Sequence, residues 1–180
     1  AEALMPARSA LYDSLISGLL DHASLHKFPA ANPTKGEVLT AAAVGGYGRG
    51  ELAPHSDIDL LFLQPVKVSP RSEQVIEYVL YMLWDLGLKV GQAVRTPDEC
   101  VRMAKSDQTI ATALLEARHL WGDTDQFEEM KAAFWDKAIG NNPIGFVEAK
   151  LAERDERHQR MGDTRYVLEP NIKDGKGGLR

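Results

Sequence analysis

Cysteine, excess positive charge and long apolar runs are all scarce in this sequence, and each absence excludes a class of protein. A single cysteine, Cys100, excludes an intramolecular disulfide and suits a reducing cytoplasm, where we expect it to pack inside a helix. No apolar run approaches the roughly 20 residues that cross a membrane. The formal net charge of −5 lacks the basic footprint of a protein that binds duplex nucleic acid. This argues against a template-dependent polymerase and favours a protein or small-molecule acceptor.

What the sequence does contain is a glycine pair followed by a pair of aspartates. Gly45 and Gly46 come directly after a small-residue, apolar strand predicted over residues 38–44. Glycines let the backbone approach a phosphate closely, and the turn that follows can offer free N–H groups to an anion. Ten residues, 47–56, then separate this turn from Asp57 and Asp59.

The two aspartates begin a second predicted strand, over residues 57–63. Side chains in a strand repeat every second residue, so Asp57 and Asp59 should project from one face while Ile58 and Leu60 face the core. Adjacent carboxylates repel each other unless a cation lies between them, and hard oxygen ligands favour Mg²⁺, with Mn²⁺ as an alternative. A phosphate cradle beside a magnesium site indicates nucleotidyl transfer.

Residues 45–61 resemble the signature of the DNA polymerase β-type nucleotidyltransferase superfamily, in which a glycine pair precedes an Asp-hydrophobic-Asp motif. More narrowly, the segment resembles the N-terminal nucleotidyltransferase domain of bacterial protein-PII uridylyltransferase/uridylyl-removing enzymes. Further stretches that fit the same family are residues 83–88, 90–96, 168–173 and 177–180. The resemblance therefore spans roughly residues 37–180.

The resemblance implies an α+β fold of the polymerase β type, with a small mixed sheet flanked by helices and additional N- and C-terminal helices. It divides the chain into an N-terminal helix and connector (1–36), a nucleotidyltransferase core (37–122), and a helical extension that starts the linker to following domains (123–180). The family's hydrolase domain needs adjacent His-Asp residues, and this sequence contains no such dipeptide. We therefore expect the chain to be the transferase piece of a larger cytoplasmic protein.

The resemblance also implies an activity, the transfer of UMP from UTP to a tyrosine of the PII signal protein with release of pyrophosphate. Asp57 and Asp59 are the expected catalytic residues and metal ligands. The expected nucleotide- and phosphate-binding residues are Gly45, Gly46, Arg49, Ser56 and Arg95. No membrane or duplex nucleic acid is expected as a partner.

Several of these roles have an alternative. Arg49 could form a surface salt bridge instead, and Ser56 could cap the turn before the strand. Many superfamily members carry a third acid on the next strand, but Ala93 stands where related adenylyltransferases carry Asp. Either two aspartates suffice, or an acid comes from elsewhere, with Glu169 as a candidate. Asn171 and Lys173 could reach the nucleotide or the acceptor, or belong to a flexible linker.

Two other functions remain open at this stage. The first keeps the fold but transfers another nucleotide, as a protein or small-molecule adenylyltransferase. The second is a nucleotide-binding domain that is inactive in isolation. Tyr47 and Tyr166 are expected to pack or bind rather than to accept the nucleotide.

The remaining pattern predicts helices separated by one more strand. Thr96 to Glu99 combine a capping box with proline at the first helical position. A short helix or turn is expected over 49–52, and Trp84, Trp121 and Trp135 are expected in the core. The other predicted elements are helices over 7–27, 70–86, 99–104, 108–120, 125–139 and 144–161, and a strand over 88–95.

Overall fold

The computed structural model describes residues 4–30, 35–65, 69–140 and 142–160. The chain divides into two compact units, Ala1–Ala138 and Ile139–Arg180. The three-part division at residues 36 and 122 stays a prediction. Four residues with predicted roles lie outside the described residues, namely Tyr166, Glu169, Asn171 and Lys173.

The first unit is built on a four-stranded mixed sheet with the order β3-β2-β1-β4. Strand β1 (Thr40–Ala43) pairs antiparallel with β2 (Ile58–Leu63) on one side and with β4 (Arg118–Gly122) on the other. Strand β2 pairs in parallel with β3 (Val90–Arg95). The mixed sheet with flanking helices confirms the predicted α+β class.

Helices connect and cover these strands. The first unit contains α1 (Leu4–His22), α2 (Gly45–Gly48), α3 (Pro70–Asp85), α4 (Pro97–Ser106), α5 (Gln108–Leu115) and α6 (Thr124–Phe134). Short π-helical segments follow α1 at Ala23–Lys27 and α6 at Trp135–Ile139, and a 3₁₀ turn spans Lys35–Glu37. In the second unit, α7 runs over Pro143–Arg160. No helix in the described ranges is long and apolar enough to cross a membrane.

Strand β2 is buried on both faces of the sheet, since Leu61 and Leu63 on one face are as buried as Ile58, Leu60 and Phe62 on the other. Ile58, Leu60 and Phe62 are buried in a cluster with the apolar faces of α1 and α3, as the alternation predicted for Ile58 and Leu60. Helix α1 contributes Ile16 and Leu20, both fully buried. Leu11 on the same helix is 66% exposed, because the packed face of α1 consists of Tyr12, Leu15, Ile16, Leu19 and Leu20.

Local capping signals in the sequence correspond to real helix ends. The Thr96 side chain accepts from the Glu99 amide, and the Glu99 side chain accepts from the Thr96 amide, which confirms the capping box. Gly87 ends the turn after α3 with φ +74°, a conformation that glycine adopts without strain. Cys100 is fully buried in α4, as expected.

One element prediction was wrong and one was confirmed in part. Residues 108–120 were expected to form one helix, but α5 ends at Leu115 and the chain then forms β4, which pairs with the edge of β1. The turn expected over 49–52 is present at residues 49–50, directly after α2, and residues 51–53 have no regular structure. In residues 116–120, long-range strand pairing decided the structure and local helix periodicity did not.

Two of the three tryptophans depart from the expected core positions. Trp84 and Trp135 are 45% and 49% exposed, whereas Trp121 is partly buried on β4 and packs against the core cluster. Trp84 occupies the solvent face of α3, where its ring meets that of Tyr81 edge to face at 5.6 Å. Helical spacing among apolar neighbours was therefore insufficient to place Trp84 and Trp135 in the core.

The packing of α1 gives a stability prediction. We expect Leu20→Ala to lower the free energy of unfolding by about 2–5 kcal/mol, because a fully buried leucine leaves a cavity. Leu11→Ala on the exposed face of the same helix is the matched control and should change it by less than about 0.5 kcal/mol. Urea denaturation measures both. Equal effects would contradict the packing of α1 onto the sheet.

Candidate active site

The turn between β1 and α2 brings backbone N–H groups to the end of a buried strand. All four residues of β1 are buried, and Val44 continues it in extended conformation before α2 begins at Gly45. Gly45 has φ +58°, which glycine adopts far more readily than other residues. The first N–H groups of a helix have no intrahelical partner, so those of Gly45 and Gly46 are suited to an anion.

The Asp59 carboxylate lies between two glycines. A Cβ placed on Gly45 would come within 3.3 Å of its Oδ2, and a Cβ on Gly91 within 2.5 Å of its Oδ1. Gly91 is the residue that pairs with Asp59 across the parallel β2–β3 ladder. A side chain at position 91 would occupy the space that the carboxylate fills. The glycine turn and Asp59 therefore form one site, as the spacing in the sequence predicted.

This site opens into a cavity of about 350 Å³, which we call the Asp59 cavity. Its size is within the range of small-molecule sites. The lining residues come from the turn, from β2, from β3 and from α5: Val44, Gly45, Asp59, Leu60, Leu61, Gly91, Gln92, Ala93, Arg95, Thr109, Ile110, Ala113 and Leu114. One end of the cavity thus carries the carboxylate and glycine backbone, and α5 supplies a largely apolar wall.

Arg49 lies beside the glycine turn in an ion pair. Its Nη1 contacts both carboxylate oxygens of Glu116 at 2.7 Å, and Nη2 lies 3.6 Å from the position of a Cβ on Gly46. The salt bridge is the alternative that the sequence left open for Arg49. Its guanidinium nevertheless borders the turn, so a phosphate role stays a prediction.

The other predicted site residues are distributed around this point. Arg95 lines the Asp59 cavity at the end of β3. Asp57 is exposed and precedes the first residue of β2, so strand alternation does not by itself orient it. Ser56 lines a separate cavity of about 170 Å³ with Arg8, Tyr12 and Lys89, among others. The structure therefore brings Gly45, Asp59 and Arg95 together and places Ser56 elsewhere.

The donor set near Asp59 fits a metal ion that shares its ligands with a substrate. Across the described ranges, no three His, Cys, Asp or Glu side chains cluster closely enough to hold a metal. Magnesium is commonly held by one or two carboxylates together with substrate phosphates and water, so a larger protein cage is not required. The space left open by Gly45 and Gly91 lets the Asp59 carboxylate oxygens lie close to the glycine turn.

Sequence reasoning missed the residues that reach this site from distant parts of the chain. Glu116 follows α5 and binds Arg49, and its backbone oxygen lies 2.1 Å from where a Cβ on Gly48 would be. Asp13 in α1 and Arg118 in β4 contact Tyr47 and Gly48. No local spacing marks these residues, because each contact depends on the tertiary fold.

Comparison with protein families agrees with this geometry. The model of the nucleotidyltransferase domain family matches residues 25–117, which include the glycine turn, Asp57, Asp59 and Arg95. The chain belongs to the nucleotidyltransferase domain family. It is therefore a nucleotidyltransferase by family, and such enzymes in general act on a nucleotide with a divalent metal ion. A second family model, described as GlnD PII-uridylyltransferase, matches residues 145–180.

Curated relatives carry a more specific name. The chain is 58% identical over 99% of its length to a bifunctional uridylyltransferase/uridylyl-removing enzyme of Rhodospirillum rubrum, and 59% identical over 94% to one of Azospirillum brasilense. It spans only 19% and 18% of those two proteins. Among solved structures, a toxin-antitoxin with AMP-PNP matches 84% of this chain and 96% of that chain at 16% identity, with a TM-score of 0.40, which is too low to support an argument.

The two glycines around Asp59 lead to a binding prediction. We expect Gly91→Ala to weaken Mn²⁺ binding about 10- to 100-fold, because the new Cβ would displace the carboxylate at 2.5 Å. Gly18→Ala is the matched control, since no atom lies within 4 Å of its Cβ position in α1. Electron paramagnetic resonance of Mn²⁺, with and without a nucleoside triphosphate, measures both variants. Equal affinity in the two would contradict the assigned role of Asp59.

Proposed function

We propose that this domain transfers UMP from UTP to a tyrosine of the PII signal protein in a Mg²⁺-dependent reaction. The observation that carries the proposal is the position of the Asp59 carboxylate beside the glycine turn. Both line the Asp59 cavity, and a Cβ on Gly45 would come within 3.3 Å of Asp59 Oδ2. The names of the relatives support the choice of uridylyl transfer. The match of residues 145–180 to the GlnD PII-uridylyltransferase model supports PII as the acceptor.

In this proposal the chain's own groups bind the triphosphate by charge and by backbone amides. The N–H groups of Gly45 and Gly46 bind the β- and γ-phosphates. Arg95 adds positive charge from the end of β3, and Arg49 does so from the turn once it exchanges Glu116 for a phosphate. Ser56 keeps a role only if substrate binding turns it toward the phosphates, since it now lines the second cavity.

The carboxylates of Asp57 and Asp59 are the proposed metal ligands. When bound, Mg²⁺ neutralises charge on the phosphate oxygens and on the departing pyrophosphate. Asp59 would bind the metal from the lining of the Asp59 cavity, and Asp57 would bind it from the exposed segment before β2. Two carboxylates with substrate oxygens make a complete set of hard ligands without a third protein acid.

The reaction joins a tyrosine oxygen of the acceptor to the α-phosphorus of UTP. The bond between the α-phosphorus and the bridging oxygen breaks, pyrophosphate leaves, and the tyrosine hydroxyl loses its proton. Tyr47 does not serve as the acceptor, because its side chain is fully buried and its hydroxyl is bonded to Asp13 at 2.6 Å. In this proposal the acceptor hydroxyl belongs to PII.

The apolar wall of the Asp59 cavity is the proposed place for the nucleoside. Ile110, Ala113 and Leu114 of α5 line the cavity together with Ala93, and Thr109 adds a hydroxyl group. This composition suits a base and ribose bound by packing with a few directed hydrogen bonds. We further propose that the protein acts in the cytoplasm, where nucleoside triphosphates are available, together with the additional domains found in its longer relatives.

Nucleotide labelling tests the proposed function directly. The protein is incubated with Mg²⁺, purified PII and each of the four labelled ribonucleoside triphosphates in turn. We expect label on PII from UTP only, and its removal when the acceptor tyrosine is changed to phenylalanine. Labelling from ATP alone would contradict the proposal and favour adenylyl transfer, and nucleotide binding without any transfer would also overturn it.

The aspartates give a sharper test of mechanism. We expect Asp57→Asn and Asp59→Asn each to reduce transfer at least about a hundredfold, because one metal ligand is lost while folding is retained. Asp85→Asn, at the exposed end of α3, is the matched control and should keep wild-type turnover. Initial rates of UMP transfer and circular dichroism distinguish loss of chemistry from loss of fold. Wild-type turnover in Asp59→Asn would reject its role.

A further inference from the structure

Helix α1 reaches the glycine turn through a partly buried polar cluster of Asp13, Tyr47 and Arg118. The Tyr47 hydroxyl donates to Asp13 Oδ1 at 2.6 Å. The Arg118 guanidinium donates to both Asp13 oxygens, at 2.8 and 3.1 Å. The same guanidinium also donates to the backbone oxygens of Gly48 at 3.2 Å and Tyr47 at 3.4 Å. One side chain of α1 and one of β4 therefore fix both the side chain and the backbone of α2.

The cluster is protected from water on the Tyr47 side. The Tyr47 side chain is fully buried, and the Arg118 Cζ lies 5.7 Å from its ring centre. Burial, together with the hydrogen bond to Asp13, raises the pKa of Tyr47 far above its usual range. The hydroxyl therefore stays protonated and remains a hydrogen-bond donor to Asp13 at any physiological pH.

The turn needs such an anchor because of its composition. Glycine occupies positions 45, 46, 48 and 50, and glycine loses more conformational freedom on ordering than any other residue. The start of the turn is held by the buried strand β1 and by a hydrogen bond from the Val44 amide to the backbone carbonyl oxygen of Asp59 at 3.1 Å. Asp13 and Arg118 hold its other end, so the amides of Gly45 and Gly46 lie between two fixed points.

We propose that Asp13, Tyr47 and Arg118 are positioning residues for nucleotidyl transfer, which hold the Gly45 and Gly46 amides in the arrangement that binds triphosphate. The inference rests on the proposed function for its kinetic readout. It makes α1 part of the catalytic apparatus, because the turn is ordered before substrate arrives and the substrate does not have to order it.

A purely structural role for the cluster predicts a different effect of mutation. Loss of Asp13 would then lower the stability of the whole domain and leave the properties of the folded fraction unchanged. The chain offers a matched control for that case. Asp21, two turns further along α1, accepts a hydrogen bond from Trp121 Nε1 of β4 at 2.7 Å and therefore ties the same two elements together away from the turn.

The experiment compares Tyr47→Phe and Asp13→Asn with Asp21→Asn in the whole chain. Three quantities are measured: the urea midpoint, the hydrogen exchange of a peptide covering residues 45–52, and the KM and kcat for UTP in PII labelling. We expect both cluster variants to speed exchange in that peptide and raise KM about tenfold with a smaller change in kcat. Asp21→Asn should lower the urea midpoint and leave exchange in residues 45–52 and KM at wild-type values.

The outcomes separate this inference from the proposed function. If the cluster variants change stability only, as Asp21→Asn does, the positioning role is overturned. If the wild-type protein transfers no UMP, the proposed function fails, and hydrogen exchange with equilibrium binding of Mg²⁺ and UTP still tests the cluster. Unchanged exchange and unchanged UTP affinity in Tyr47→Phe and Asp13→Asn would then overturn the inference on its own.

Discussion

The structure of this site depends on the absence of two side chains beside one carboxylate. Asp59 occupies the space that a Cβ at Gly91 would take, and it reaches the turn because Gly45 also lacks one. The parallel pairing of Asp59 with Gly91 fixes this arrangement, since paired residues on neighbouring strands present their side chains to the same face. The buried strand β1 runs antiparallel to β2 and ends beside the start of β2, so the glycine turn that follows β1 lies next to Asp59. The proposed phosphate-binding turn and the proposed metal ligand thereby lie side by side.

Local patterns in the sequence were sufficient for this part of the structure. Alternation in residues 57–63 predicted that Ile58 and Leu60 face the core, and the Thr96–Glu99 pattern predicted a capping box that is present. Both depend on backbone geometry over a few residues. The spacing of the glycine pair and the aspartates predicted that they would lie together, and this holds for Asp59, whose carboxylate lies beside Gly45.

The parts that could not be predicted depend on contacts between distant residues. Residues 118–122 form strand β4, which pairs with the edge of β1, although the helical pattern in the sequence continues to residue 120. Glu116 meets Arg49 across 67 positions of sequence, and Arg118 meets Asp13 across 105. The exposure of Trp84 was unpredictable for a similar reason, since only the packing of α3 decides which of its faces is buried. Local propensity carries no information about such pairings.

The sequence of β3 also accounts for the absence on that strand of the third acid that many superfamily members carry. Gly91, Ala93 and Arg95 alternate along β3, so they present their side chains to the face that carries Asp59. Position 91 has to be glycine because a side chain there would displace the Asp59 carboxylate. Position 95 carries Arg95, a cation that lines the cavity. The remaining position, Ala93, lies beside the apolar residues of α5, where an ionised carboxylate would be costly to desolvate. This side of the cavity is therefore largely apolar with one cation, Arg95, and the two carboxylates of the proposed metal site lie at the start of β2.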